Sequence, residues 1–60
     1  MSEQPVRVLV VDDEPQIRRL LRTSLGAYHY QVAEAARGEE AITKTATDRP
    51  DILILDLGLP

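Results

Sequence analysis

Cysteine is absent from this 60-residue chain, so it has neither a disulfide framework nor a thiolate metal site, and it is compatible with a reducing compartment. No apolar stretch approaches the ~20 residues that span a bilayer. The opening Met1 to Pro5 is polar and lacks a charged segment followed by a long apolar one, so no signal peptide is expected and a cytoplasmic location is. A basic excess is missing too: seven Lys and Arg stand against ten Asp and Glu, for a net charge of −3. General affinity for nucleic acid therefore does not follow from this segment, and any DNA contact is expected elsewhere. Internal repeats, low-complexity tracts and linkers are also lacking. The chain does have 43% apolar and 28% charged residues, a balance that suits a folded α/β segment and not a disordered one. At this length only about 60% of the unfolded surface is buried, so marginal stability is expected.

Val6-Arg7-Val8-Leu9-Val10-Val11 is β-branched and nearly all apolar, which predicts a strand covered on both faces of a parallel sheet. Asp13 is placed to cap the following helix, with Gln16 as capping-box partner and Pro15 in the first turn. Ile17, Leu20, Leu21 and Leu25 make one helical stripe, and Arg18, Arg19 and Arg22 take the solvated side. Gly26 ends that helix as a C-terminal cap. Tyr30 to Ala35 reads as a more polar strand nearer an edge, and Gly38 to Thr47 as a second helix. That helix turns Ala41, Ile42 and Ala46 inward and carries a Glu40 to Lys44 pair outward. Arg49-Pro50 stops it, because the residue before proline is driven from helical geometry. Asp51 to Asp56 is the third strand, again with a run, Ile52 to Leu55, suited to burial on both faces. The order βαβαβ implies parallel strands with right-handed crossovers, a doubly wound α/β sheet. In the flavodoxin-like strand order 2-1-3, a ligand belongs at the carboxyl ends of strands 1 and 3.

Asp12, Asp13 and Asp56 follow those two strands directly. Carboxylates brought within a few ångströms repel one another, and a hard divalent cation relieves the conflict. Mg²⁺ takes oxygen ligands and keeps several waters, whereas zinc would want His or Cys. Such an ion beside a carboxylate points to phosphoryl transfer, with the carboxylate as nucleophile. An Asp after a strand is also a common cap or turn residue, which is an ordinary reading of Asp12 or Asp13 taken alone. Asp56 precedes Leu57-Gly58-Leu59-Pro60, which reads as a loop, so no helix follows for it to cap. His29, alone between Tyr28 and Tyr30 in a turn, and Thr43, Thr45 and Thr47, with no neighbouring base, are read as ordinary structural residues.

Val8-Leu9-Val10-Val11-Asp12-Asp13-Glu14, Ile17-Arg18-Arg19-Leu20-Leu21 and the run Pro50 to Pro60 resemble the first half of a response-regulator receiver domain of the OmpR type. The resemblance covers Val6 to Pro60 and rests on the acid pair, the later Asp, and a proline four positions after that Asp. It implies that Asp56 is the phosphoacceptor for a phosphoryl group from a sensor histidine kinase. It implies further that Asp13 ligates Mg²⁺ directly, that Asp12 acts mainly through water or by orienting the ion, that Gly58 gives a backbone carbonyl to the metal, and that Pro60 shapes the loop. Arginines of the first helix match a region that often faces the kinase. A receiver has five βα units, so the resemblance implies that residues 1–60 are its N-terminal half. The Ser or Thr after strand 4, the Lys after strand 5, the dimerisation surface and any DNA-binding output domain are not in this chain. Self-association through an exposed edge of the third strand is then expected.

Two other classes were weighed. An interaction module, whose acids merely cap and whose activity is association, differs in being indifferent to metal. A nucleotide-binding enzyme is disfavoured because Asp12-Asp13-Glu14-Pro15 has no G-x-G-x-x-G and would repel a pyrophosphate. An Asp-nucleophile phosphatase would want its two acids two residues apart, and here they are adjacent. The expectation is a phosphoacceptor, not a turnover enzyme.

Overall fold

The computed structural model describes residues 4–55, arranged as β1 (Arg7–Val11), α1 (Pro15–Gly26), β2 (Gln31–Ala35), α2 (Gly38–Asp48) and β3 (Ile52–Leu55). The three strands are parallel in the order β2-β1-β3, the doubly wound arrangement the sequence implied. Arg7–Val11 pairs with Gln31–Ala35, and Val8–Val11 pairs with Ile52–Leu55. In four of the five elements one described end differs from the expected one by a single residue, the usual fraying of such ends. The expected end of β3 at Asp56 lies outside the described residues.

β1 is the central strand, and Val8 to Val11 are all buried, as a charge-free β-branched run in a parallel sheet should be. Leu9 and Val11 form a core cluster with Ala35 of β2 and Ala41 of α2, with Ala33 packed against it. With no Phe or Trp in the chain, this core is wholly aliphatic. Successive strand residues face opposite ways, so Val8 and Val10 serve the other side, beneath α1.

Capping of α1 differs from expectation. Glu14, not Asp13, is its N-cap residue, and no side chain caps it. Instead the Asp12 carboxylate accepts the Glu14 N–H at 2.8 Å, closing an Asx turn one residue earlier than a helix cap would. At the other end Gly26 is the last helical residue and has no positive φ; Ala27 follows in right-handed geometry. The left-handed step falls to His29, at φ 72°, between Tyr28 and Tyr30, whose amides both return to the Leu25 carbonyl. The chain thus reverses three residues beyond the helix end and needs no glycine to do so.

The apolar stripe of α1 is only partly used. Leu21 and Leu25 are half-buried, Ile17 lies at the margin, and Leu20 is 60% exposed. α1 packs on β2 and β1 but not on β3, and a face two strands wide cannot cover four large side chains. In α2, Ala41 is buried as expected, but Ile42 and Ala46 are exposed. Thr43, Thr45 and Thr47 bond back to the carbonyls of Glu39, Ala41 and Thr43, a local use that agrees with reading them as helix surface. Arg49 takes left-handed geometry at φ 51°, ending α2 before Pro50.

β3 departs furthest from the two-sided burial its composition predicts: Ile52, Leu53 and Leu55 are each about half exposed. No described helix packs on it, and β1 alone holds it within the sheet. Its entry is fastened at Arg7, whose N–H donates to the Asp51 carboxylate at 2.9 Å and whose carbonyl accepts the Asp51 N–H at 2.8 Å. The Arg7 guanidinium also donates to the Asp48 carbonyl at 2.8 Å.

Two predictions follow from this packing. Leu9→Ala removes a fully buried side chain at a cost of ~2–5 kcal/mol. That approaches the whole stability of a domain this small, so the helical circular-dichroism signal should be lost; a cooperative melt near that of the unsubstituted chain would deny Leu9 its core role. The second concerns Glu40, which accepts the Ala36 N–H at 2.8 Å and pairs with Lys44 at 3.5 Å. The Ala36 hydrogen bond, then Lys44, holds its carboxyl below the usual value of 4.5. A carboxylate depressed on folding contributes stability that is complete above its unfolded value and is lost as pH falls through the folded one. NMR titration should therefore give Glu40 a midpoint below 4.5, with Ala36 amide protection lost through it; an ordinary midpoint would remove the bond.

Candidate functional site

The loop after β1 carries Asp12, Asp13 and Glu14 at the carboxyl edge of the sheet. This is the edge at which open α/β sheets bind ligands. One carboxylate oxygen from each of the three can be found within 4.8 Å of the other two. Asp12 is buried, at 6% exposure, while Asp13 and Glu14 are open to solvent. Sequence reasoning placed Asp12 and Asp13 here correctly. It passed over Glu14 as a candidate ligand, although an uninterrupted run of three acids at a strand end was the available signal.

The Asp12 backbone is held on both sides of its Cα. Its N–H donates to the Ala35 carbonyl of β2 at 3.1 Å, and its carbonyl accepts from Arg18 Nη1 at 2.6 Å. Its Oδ1 is occupied by the Glu14 N–H at 2.8 Å, an anchor that fixes the carboxylate beside its two neighbours. Arg18 is thus not on the solvated face of α1, where the apolar periodicity put it. Its Nε donates to Glu34 Oε1 of β2 at 3.1 Å, and only 17% of the side chain is exposed. Arg22 Nη1 reaches the other Glu34 oxygen at 3.3 Å but stays largely exposed.

The donor set here is oxygen alone, with no His beside it. His29 lies in the turn before β2, whose first residue pairs with Arg7, so it sits at the opposite end of the sheet from the acids. Clustered carboxylates without nitrogen or sulfur suit a hard cation such as Mg²⁺ and do not suit zinc. The residues present therefore fit a magnesium ion, with Asp12, Asp13 and Glu14 as the oxygens available to it.

Asp56 and Gly58, the other candidate site residues, and Pro60 lie outside the described residues. At the end of the described strand pair, Leu55 pairs with Val11, the residue before Asp12. An open groove between α1 and β3, lined among others by Val10, Ile17, Leu21 and Ile54, ends at Asp12. Among the described residues no helix is long and apolar enough to cross a membrane.

A sequence model of the family described as response regulator receiver domain matches residues 8–60. Over 53 residues, 88% of this chain and 24% of the relative, the chain is 55% identical to the transcriptional regulatory protein KdpE of Mycobacterium tuberculosis (strain ATCC 25618 / H37Rv). It is 48% identical over 56 residues to the response regulator MprA of Mycolicibacterium vanbaalenii, covering 93% of this chain and 24% of that protein. To the alkaline phosphatase synthesis transcriptional regulatory protein PhoP of Bacillus subtilis it is 46% identical over 54 residues, 90% of this chain and 22% of the relative. The helix start Ile17-Arg18-Arg19 and the ending Asp56 to Pro60 carry a likeness to the Kdp regulator that agrees with the first of these. The chain spans about a quarter of the length of the curated relatives it matches.

Proposed function

This chain belongs to the response regulator receiver domain family, and from that premise we propose that it forms the phosphoacceptor half of a two-component regulator, with Asp56 taking a phosphoryl group from a sensor histidine kinase. The observation that supports this most is the convergence of acids at one sheet edge: Asp12, Asp13 and Glu14 follow β1, and β3 pairs in register so that Leu55 stands opposite Val11. In the transfer a carboxylate oxygen of Asp56 attacks phosphorus, an O–P bond forms, the N–P bond to the kinase imidazole breaks, and the imidazole leaves carrying the electron pair. Asp13 would hold Mg²⁺ directly, Asp12 would orient it or bind through water, and Asp56 with the Gly58 carbonyl would complete the protein ligands. When bound, that ion supplies positive charge against the phosphoryl oxygens.

The activity is that of a substrate for the kinase rather than of a turnover enzyme. We place it in the cytoplasm, as the amino-terminal half of a receiver followed, in a longer protein, by further βα units and an output domain that contacts DNA. The names of the relatives, transcriptional regulatory proteins among them, support the reading. In a full-length regulator carrying this segment, Asp56→Asn should abolish phosphate incorporation from a small phosphodonor while leaving the far-ultraviolet spectrum unchanged. Undiminished labelling would take the role away from Asp56.

A second reading is favoured by one observation. β3 is half exposed, is paired on one side only among the described residues, and has no helix over it. Such an edge is a template for another strand, so the 60-residue chain should self-associate through it. Sedimentation should show mass rising with concentration; a monodisperse monomer with protected amides along Ile52 to Leu55 would sink the idea.

A further inference from the structure

Arg18 and Glu34 form a connection that the phosphoacceptor reading leaves without a part. Arg18 uses two different nitrogens for two different tasks: Nε donates to the Glu34 carboxylate at 3.1 Å and Nη1 to the Asp12 carbonyl at 2.6 Å. Glu34 is itself steadied. Arg22 donates to its second oxygen at 3.3 Å, and the Lys44 ammonium of α2 donates to its backbone carbonyl. The Arg18 and Glu34 side chains are 17% and 26% exposed. Their pairing is therefore better sheltered from solvent screening than an ordinary surface ion pair.

The geometry has a direct consequence for the acid loop. Rotation about the Asp12 backbone dihedrals would swing the Asp12 carboxylate and shift the Glu14 amide bonded to it. Among the described residues, that rotation is opposed at the N–H by the Ala35 carbonyl and at the carbonyl by Arg18. A guanidinium makes these two directed contacts at once because its donors are fixed in a plane; a lysine ammonium on a flexible stem does not. We propose that Arg18, locked in place by Glu34, is a positioning residue that presets the Asp12-Asp13-Glu14 loop for a divalent cation. The proposal rests on the metal-dependent phosphoacceptor reading given above.

Mn²⁺ serves as the probe, followed by electron paramagnetic resonance on the 60-residue chain, with Mg²⁺ as competitor. Glu34→Gln removes no candidate ligand, yet it should weaken Mn²⁺ binding about tenfold, the effect typical of residues that orient ligands from outside the coordination shell. It should also lower protection of the Asp12 and Glu14 amides with no metal present. Arg18→Lys should fail to restore either property. If Glu34 acts through Arg18, adding Glu34→Gln to Arg18→Met should bring no further loss, whereas independent effects would add. Unchanged affinity in Glu34→Gln alongside lost binding in Asp13→Asn would overturn the positioning role and leave the site intact. Additive losses in the double variant would also overturn it, since a merely structural contribution to stability gives that result. Failure of the unsubstituted chain to bind Mn²⁺ while its Asp12 and Glu14 amides are protected would overturn both this proposal and the metal-dependent reading beneath it.

Discussion

Burial of one short strand between two parallel neighbours governs this molecule. Val8 to Val11 have no side chain that can be solvated, and their backbone groups are paired on both sides by β2 and β3. A charge within such a strand would lose its water without gaining a partner, at a prohibitive cost. The acids can therefore begin only where the strand ends. The length of an apolar run thus fixes the position of a cluster of carboxylates, and the parallel register brings Leu55 of β3 opposite the last residue of that run. Fold and site are consequences of one constraint.

That constraint explains what was legible in the amino-acid order. β1, the strand order and the acid loop after Val11 all follow from a continuous β-branched run and from alternation of strand with helix. Arg18 was misplaced because helical periodicity assigns a face from where a side chain begins. A long guanidinium can start on a polar flank and finish under the loop beside it. Asp13 was given a capping role that its neighbour Asp12 fills in a different way, by closing the turn before the helix. Which of two adjacent aspartates does so depends on where the strand releases the chain, and composition carries no such information. Gly26 ends α1 as its position suggests, but the left-handed step expected of a glycine cap is made at His29, because the turn bonds to Leu25 arise beyond the helix. β3 has the composition of a buried strand, and its exposure depends on what stands beside it.

α1 presents a different balance from the rest of the structure. None of its residues is buried, so it gains little from the hydrophobic effect that holds β1. Its attachment relies in good part on Arg18 and Arg22 reaching Glu34 and on Arg18 reaching the Asp12 carbonyl. A helix held this way is tied to the acid loop as well as to the sheet. Displacement of α1 is then transmitted to the carboxylates, and a charge arriving among the carboxylates is felt by the helix.

The fastening of β3 bears on the order in which the sheet is assembled. The Arg7 amide meets the Asp51 carboxylate across 44 residues of chain, whereas Val8 finds Val32 after passing only a single helix. Closing the longer loop costs more chain entropy, and no helix repays it by packing on β3. Loop closure thus favours the pairing of β1 with β2 over that of β1 with β3, and the Arg7 clasp with Asp51 and Asp48 offsets part of the cost of the longer closure. The crevice beside the acids is bounded by the strand whose place in the sheet costs the most chain entropy.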